Sequence, residues 1–109
     1  MTVWKKNYHP LYQESKLQFD RHLVELISQK EDTIASSPLS HPHLKHKLNR
    51  VRRYKSGNKI RIFYVLSTER PELWECAPEY PEILFLYVEL RSDETYDNAL
   101  KYLRKHRLI

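Results

Sequence analysis

Eight basic residues lie between Leu44 and Tyr64: Lys45, Lys47, Arg50, Arg52, Arg53, Lys55, Lys59 and Arg61. No acidic residue occurs anywhere from Thr33 to Thr68. Guanidinium and ammonium groups gathered this way attract polyanions, and nucleic-acid phosphate backbones are the common case. A surface that needs only solvation usually intersperses both signs, so the segregation favours polyanion binding over a plain solvated face. The stretch from Ser67 to Ile83 is the reverse, with Glu69, Glu72, Glu75, Glu79 and Glu82 set against Arg70 alone. Over the whole chain 19 Lys and Arg face 14 Asp and Glu, a formal charge of +5. His41, His43 and His46 have a spacing that invites a metal reading, but no Cys or Asp lies near them, and they read as loop residues. No metal and no cofactor is expected. Cys76 is alone, which excludes an internal disulfide or a cysteine metal cluster and points to a reducing compartment, the cytoplasm.

The elements that must position these cations follow from patterning. A length of 109 residues predicts one domain, 1–109. A hydrophobic share of 40% with 12% aromatics excludes a disordered chain. The longest aliphatic-aromatic run, Ile83 to Val88, is six residues, far below the ~18 of a membrane span. Behind Lys5 and Lys6 there is no apolar stretch, so no secretory signal is expected. Thr2 to Tyr8 reads as a short strand. Pro10 suits a first helical turn, and Leu11 to about Ala35 is helical in pattern, with Phe19, Leu23, Leu26 and Ile27 on one stripe and a break near Glu31-Asp32 as the alternative. Ser36-Ser37-Pro38 stops that helix.

A period-two stretch over Arg50 to Tyr54 leads into Lys55-Ser56-Gly57-Asn58, whose Gly57 predicts a hairpin turn. Ile60 to Leu66 alternates, with Ile60, Ile62 and Tyr64 on one face and Arg61, Phe63 and Val65 on the other. Glu82 to Leu90 is the most apolar strand and therefore the expected central one. Ser92 or Asp93 caps a last helix, with Tyr96, Ala99, Leu100 and Leu103 as its buried stripe. The fold class is α+β: a small antiparallel sheet of three or four strands, an amino-terminal helix or helical hairpin, and a carboxy-terminal helix, with the helices on one face. The connection from Ser67 to Pro81 is long for a hairpin. It reads either as a solvated extension whose Trp74 covers the sheet edge or as a partner-contact flap or acidic gate.

The run Leu44-Lys45-His46-Lys47-Leu48, then Arg50 to Gly57, then Arg61-Ile62-Phe63-Tyr64 resembles the centre of the RelE/ParE toxin superfamily of type II toxin–antitoxin modules. Leu86 to Arg91, with Tyr96 after it, is similar to that family's closing strand, arginine and tyrosine. The resemblance covers Leu39 to about Leu108 and favours the RelE-like branch. RelE-like members are ribosome-dependent endoribonucleases, or mRNA interferases. They cut translated messenger and so inhibit translation, and a cognate antitoxin protein holds them inactive. The partners implied are that antitoxin, the ribosome and mRNA, with no membrane. ParE-like members instead inhibit DNA gyrase, and a degenerate member would only bind antitoxin or nucleic acid.

Cleavage by attack of the 2′-hydroxyl needs a proton acceptor, cations that steady the added charge on phosphorus, and a proton for the leaving 5′ oxygen. The resemblance assigns Arg61 and Arg91 to the phosphate, Arg91 also as leaving-group acid, and Tyr96 to a base, on which an aromatic face can stack. With Lys55 these form the implied catalytic set. Lys45, His46, Lys47, Arg50, Arg52 and Arg53 form the implied RNA-binding set. The chain departs from RelE in having Arg50 and Arg52 where lysines are usual. Arginine stays protonated, so Lys55, lowered by crowded cations, or His46 has to accept the proton.

Overall fold

A computed structural model describes residues 4–44, 50–57, 60–90 and 95–109, with 95–97 as backbone only. Its elements are β1 (Lys5–Tyr8), α1 (Pro10–Leu17), α2 (Arg21–Ser36), β2 (Arg52–Ser56), β3 (Ile60–Leu66), β4 (Glu82–Leu90) and α3 (Thr95–Lys105). The sheet runs β1-β4-β3-β2. The β2–β3 and β3–β4 pairs are antiparallel as expected, but β1 lies parallel to β4, so the sheet is mixed. A parallel pair needs a long crossover, and here the chain from α1 through β3 supplies it. As the apolar run predicts, β4 is an inner strand.

The amino-terminal helical segment is broken earlier than its pattern suggests. His9 caps α1, its Nδ1 accepting from the Leu11 amide at 3.0 Å, and Pro10 takes the first position, where a missing N–H costs nothing. The helix ends at Leu17, and Asp20 starts α2 by accepting from the Leu23 amide at 2.9 Å. An aspartate with that bond removes an orphan helix donor, which decides the break near residue 19 rather than at Glu31-Asp32.

Both sheet faces are covered, not one. Against the first pack α1 and α2, with Tyr12, Ile27, Ile34 and Ala35 meeting Tyr54, Ile60, Ile62, Tyr64, Ile83, Phe85 and Val88. Against the second packs α3, with Ala99 and Leu103 meeting Phe63, Val65, Leu86 and Tyr87. The alternation of β3 is thus as the sequence predicts. In β4 it is interrupted: Phe63 pairs Tyr87 while Tyr64 pairs Phe85, leaving Leu86 as an extra residue. Leu86 and Tyr87 consequently sit on the same side, and Glu89 falls on the α3 side rather than the α1/α2 side.

The carboxy end of α3 is closed by a Schellman arrangement. The Leu108 amide donates to the Leu103 carbonyl at 2.8 Å and the Arg107 amide to Arg104 at 3.0 Å, while Leu103 and Leu108 share one apolar cluster. Arg107 holds φ 58°, a left-handed conformation that favours glycine. Arg107→Gly is therefore expected to stabilise the fold by about 0.5–1 kcal/mol, after the greater unfolded-state freedom of glycine is subtracted. A rise in the urea midpoint at unchanged slope checks it.

Candidate functional site

The β2–β3 hairpin turns at Gly57, whose φ is 56°. This register brings Lys55 opposite Arg61, and on the other side of β3 Arg61 lies opposite Glu89. Paired residues share a face, so Lys55, Arg61 and Glu89 form one row across three strands on the α3 side. At ordinary strand spacing that row is about 10 Å wide, the reach of a phosphodiester with its flanking sugars. The next row holds Arg53, Phe63 and Tyr87. Lys55 is exposed and Arg53 half-buried. Arg61 is 7% exposed, and its Nη1 donates to the carbonyls of Ile60 at 3.0 Å and Gly57 at 3.5 Å, which orients the guanidinium along the turn.

Arg52 lies on the opposite side of the sheet. It pairs in register with Tyr64 of the α1/α2 face. Its Nε and Nη2 donate to the two Glu69 oxygens at 2.9 and 2.8 Å, and its Nη1 donates to the carbonyls of His41 at 2.7 Å and Leu39 at 3.3 Å. His43 Nε2 completes the cluster at 3.1 Å from Glu69. Hydrogen bonds from Arg52, then from His43, hold the Glu69 carboxyl below its usual range. Arg52 is thus committed to a structural cluster and separated by the sheet from Lys55 and Arg61. Arg50 is exposed, and its Nη1 donates to the Glu69 carbonyl at 3.2 Å. The acid-free run and the acidic connection, opposite in charge along the chain, are therefore joined in space through Glu69.

Lys45, His46, Lys47 and Arg91 lie outside the described residues, and Tyr96 is placed in α3 by its backbone alone. Of the two described histidines of the loop, His43 is bound to Glu69 and His41 packs on tyrosine. The His41 ring meets Tyr54 edge-on at 4.7 Å, and burial, then Arg52, lower its pKa. Among the described residues no three His, Cys, Asp or Glu side chains converge as metal ligands. Nor is any described helix long and apolar enough to cross a membrane.

The acidic connection is tied down at several points. Arg70 Nη1 donates to the Leu108 carbonyl at 3.0 Å, its Nε pairs with Glu72, and Trp74 Nε1 donates to Glu82 at 3.2 Å. Trp74 packs against the α3-side cluster, whereas Tyr80 is 70% exposed.

Glu89 is the group that residue patterning passed over. Its Oε1 is buried and has no hydrogen-bond partner among the described residues. Burial pushes the carboxyl up to about 7, against a smaller lowering by the Tyr87 hydroxyl. The signal available was a charged residue inside the most apolar strand, where burial carries a desolvation cost.

No protein-family model matches the chain, and no curated protein matches it in sequence. In three dimensions it is similar to a chain of the crystal structure of the toxin–antitoxin complex RelBE2 from Mycobacterium tuberculosis, with a TM-score of 0.66 at 13% identity. The match covers 85% of this chain and 97% of that one. At that identity the likeness is one of fold: amino-terminal helices, a four-stranded mixed sheet and a carboxy-terminal helix in a RelE-like arrangement.

Proposed function

On this RelE-like fold with a cationic row on one sheet face, we propose that the chain is a single-domain toxin of a type II toxin–antitoxin module, an endoribonuclease that cuts translated mRNA on the ribosome. The observation that carries the reading is the register of Lys55 and Arg61, two cations from the two arms of one hairpin on the side of the sheet opposite Arg52. A phosphodiester lying along that row would have its added negative charge steadied by both, with Arg53 one row away. By the family resemblance, Arg91 would protonate the leaving 5′ oxygen and Tyr96 would hold a base, while Lys45, His46, Lys47 and Arg50 would bind the rest of the RNA. The attacking group belongs to the substrate, so the residues named need only take up and deliver protons and steady charge. The site of action would be the cytoplasm. A cognate antitoxin would silence the protein, and exposed Leu17 on α1 and Tyr102 on α3 are apolar groups that such a partner would cover.

The test is to map messenger 5′ ends after induction of the wild type, Lys55→Ala, and Lys55→Ala/Arg61→Ala. Wild-type induction is expected to produce cuts within translated regions. Lys55→Ala, a change at an exposed side chain, should reduce cutting about tenfold, and the double variant about 100- to 1000-fold, the usual loss for charge-stabilising groups. Growth arrest with intact messenger and altered DNA supercoiling would replace this reading with gyrase inhibition. Harmless induction with antitoxin binding retained would make the chain a degenerate member.

A further inference from the structure

We propose that Glu89 is the proton acceptor for the attacking 2′-hydroxyl, an inference that rests on the ribonuclease reading above. Three observations on the α3 side of the sheet lead to it. Glu89 ends the row that starts at Lys55 and passes through Arg61, so a carboxylate stands beside the cations proposed to hold the phosphate. The extra residue Leu86 puts it there: with unbroken alternation Glu89 would face the α1/α2 layer, away from them. Finally, Oε1 has no hydrogen-bond partner among the described residues, although buried carboxylates are ordinarily satisfied.

The chemistry suits the position. The cations available on this chain's first basic strand are largely arginines, which are already protonated and have no acceptor to take up another proton. A carboxylate titrating near neutrality is charged often enough to accept one and basic enough to do so usefully. From β3 Glu89 faces Arg61, from its own strand the Tyr87 hydroxyl, and beyond the Tyr87 ring lies Tyr102 of α3, stacked on it at 5.3 Å. In the step itself the 2′-hydroxyl proton passes to a Glu89 oxygen as the 2′ oxygen forms a bond to phosphorus. The bond from phosphorus to the 5′ oxygen breaks, and that oxygen takes a proton from solvent water or from a neighbouring acid. A 2′,3′-cyclic phosphate and a 5′-hydroxyl result, and Glu89 then releases its proton to water.

Single-turnover cleavage of a defined mRNA on programmed ribosomes, measured from pH 5.5 to 9 for wild type, Glu89→Gln and Glu89→Asp, decides the matter. The wild-type rate is expected to rise with pH and level off above about 7, as the carboxyl loses its proton. Glu89→Gln should lose about 100-fold or more and its acid limb with it. Glu89→Asp should regain part of the rate and keep the limb. Wild-type rates without an acid limb, or Glu89→Gln cleaving at the wild-type rate, would overturn the assignment to Glu89. In either case loss of cleavage in Lys55→Ala/Arg61→Ala would leave the ribonuclease reading standing. A wild type that cuts nothing would overturn both. Should Glu89→Gln fail to fold, the wild-type limb and a carboxyl-carbon NMR titration of the wild type test the assignment in its place: a limb that tracks the Glu89 titration supports it, and a mismatch between the two overturns it.

Discussion

Glu69→Ala is expected to cost about 3–5 kcal/mol of folding stability, because it strands the Arg52 guanidinium inside the protein without its counter-charge. The two side chains are 10% and 18% exposed and joined by two hydrogen bonds at 2.9 and 2.8 Å. His43 loses its partner in the same change. For a domain of this size the melting midpoint should fall on the order of 15 °C. Removing both charges is a different matter: Arg52→Leu/Glu69→Leu should recover most of the loss, since desolvation of the pair offsets much of its attraction. The folded Glu69 carboxyl titrates below its unfolded value, so its contribution is complete above the unfolded pKa and disappears as pH falls through the folded one. Urea unfolding of wild type and Glu69→Ala at pH 7 and at pH 3 should therefore give a large gap at the higher pH and a smaller one at the lower. Equal gaps at the two pH values would show that Glu69 acts through packing, not charge.

Phe85→Ala should be comparably severe, about 3–5 kcal/mol, by the cavity left in a close-packed interior. The Phe85 ring is fully buried on β4 and lies 5.5 Å from the Tyr8 ring, 5.4 Å from Tyr12 and 6.2 Å from Tyr64. These neighbours come from β1, α1 and β3, so one ring joins the parallel edge strand, the first helix and the centre of the sheet. Two of the neighbours cannot close inward easily. Tyr12 donates its hydroxyl to Glu31 at 2.6 Å and Tyr64 to the Pro38 carbonyl at 2.7 Å, which fixes both rings. Phe85→Leu should cost less than half as much, because most of the volume stays filled. Denaturant midpoints for the two variants check the order, and equal costs would mean that the site collapses around the hole.

Where side-chain chemistry is local, residue order was enough to read this chain. Pro10, the Ser36-Ser37-Pro38 stop, the Gly57 turn and the faces of β3 all depend on near neighbours, and the strand Ile60–Leu66 has the expected limits. What escaped depends on distant partners. The parallel seat of β1 follows from β4, more than seventy positions on. Strand alternation alone turns Arg52 away from Lys55, but its commitment to Glu69, in the acidic connection, depends on a partner 17 positions on. Asp20 as a helix cap was locally readable, but the apolar stripe running through Phe19 outweighed it. Glu89 is hidden for another reason: strict alternation from Ile83 assigns it to the other side of the sheet.

That interruption in β4 has a consequence for how this chain must be lined up with others of its shape. Before Leu86 the odd-numbered positions belong with the paired helices, and after it they belong with the last one. The strand thus changes parity midway, and a gapless superposition on an uninterrupted strand would exchange inner and outer positions for everything downstream. A comparison at 13% identity carries little other guidance on that stretch. Equivalent residues there are those that share a ladder partner on β3, whatever their count from the start of the strand.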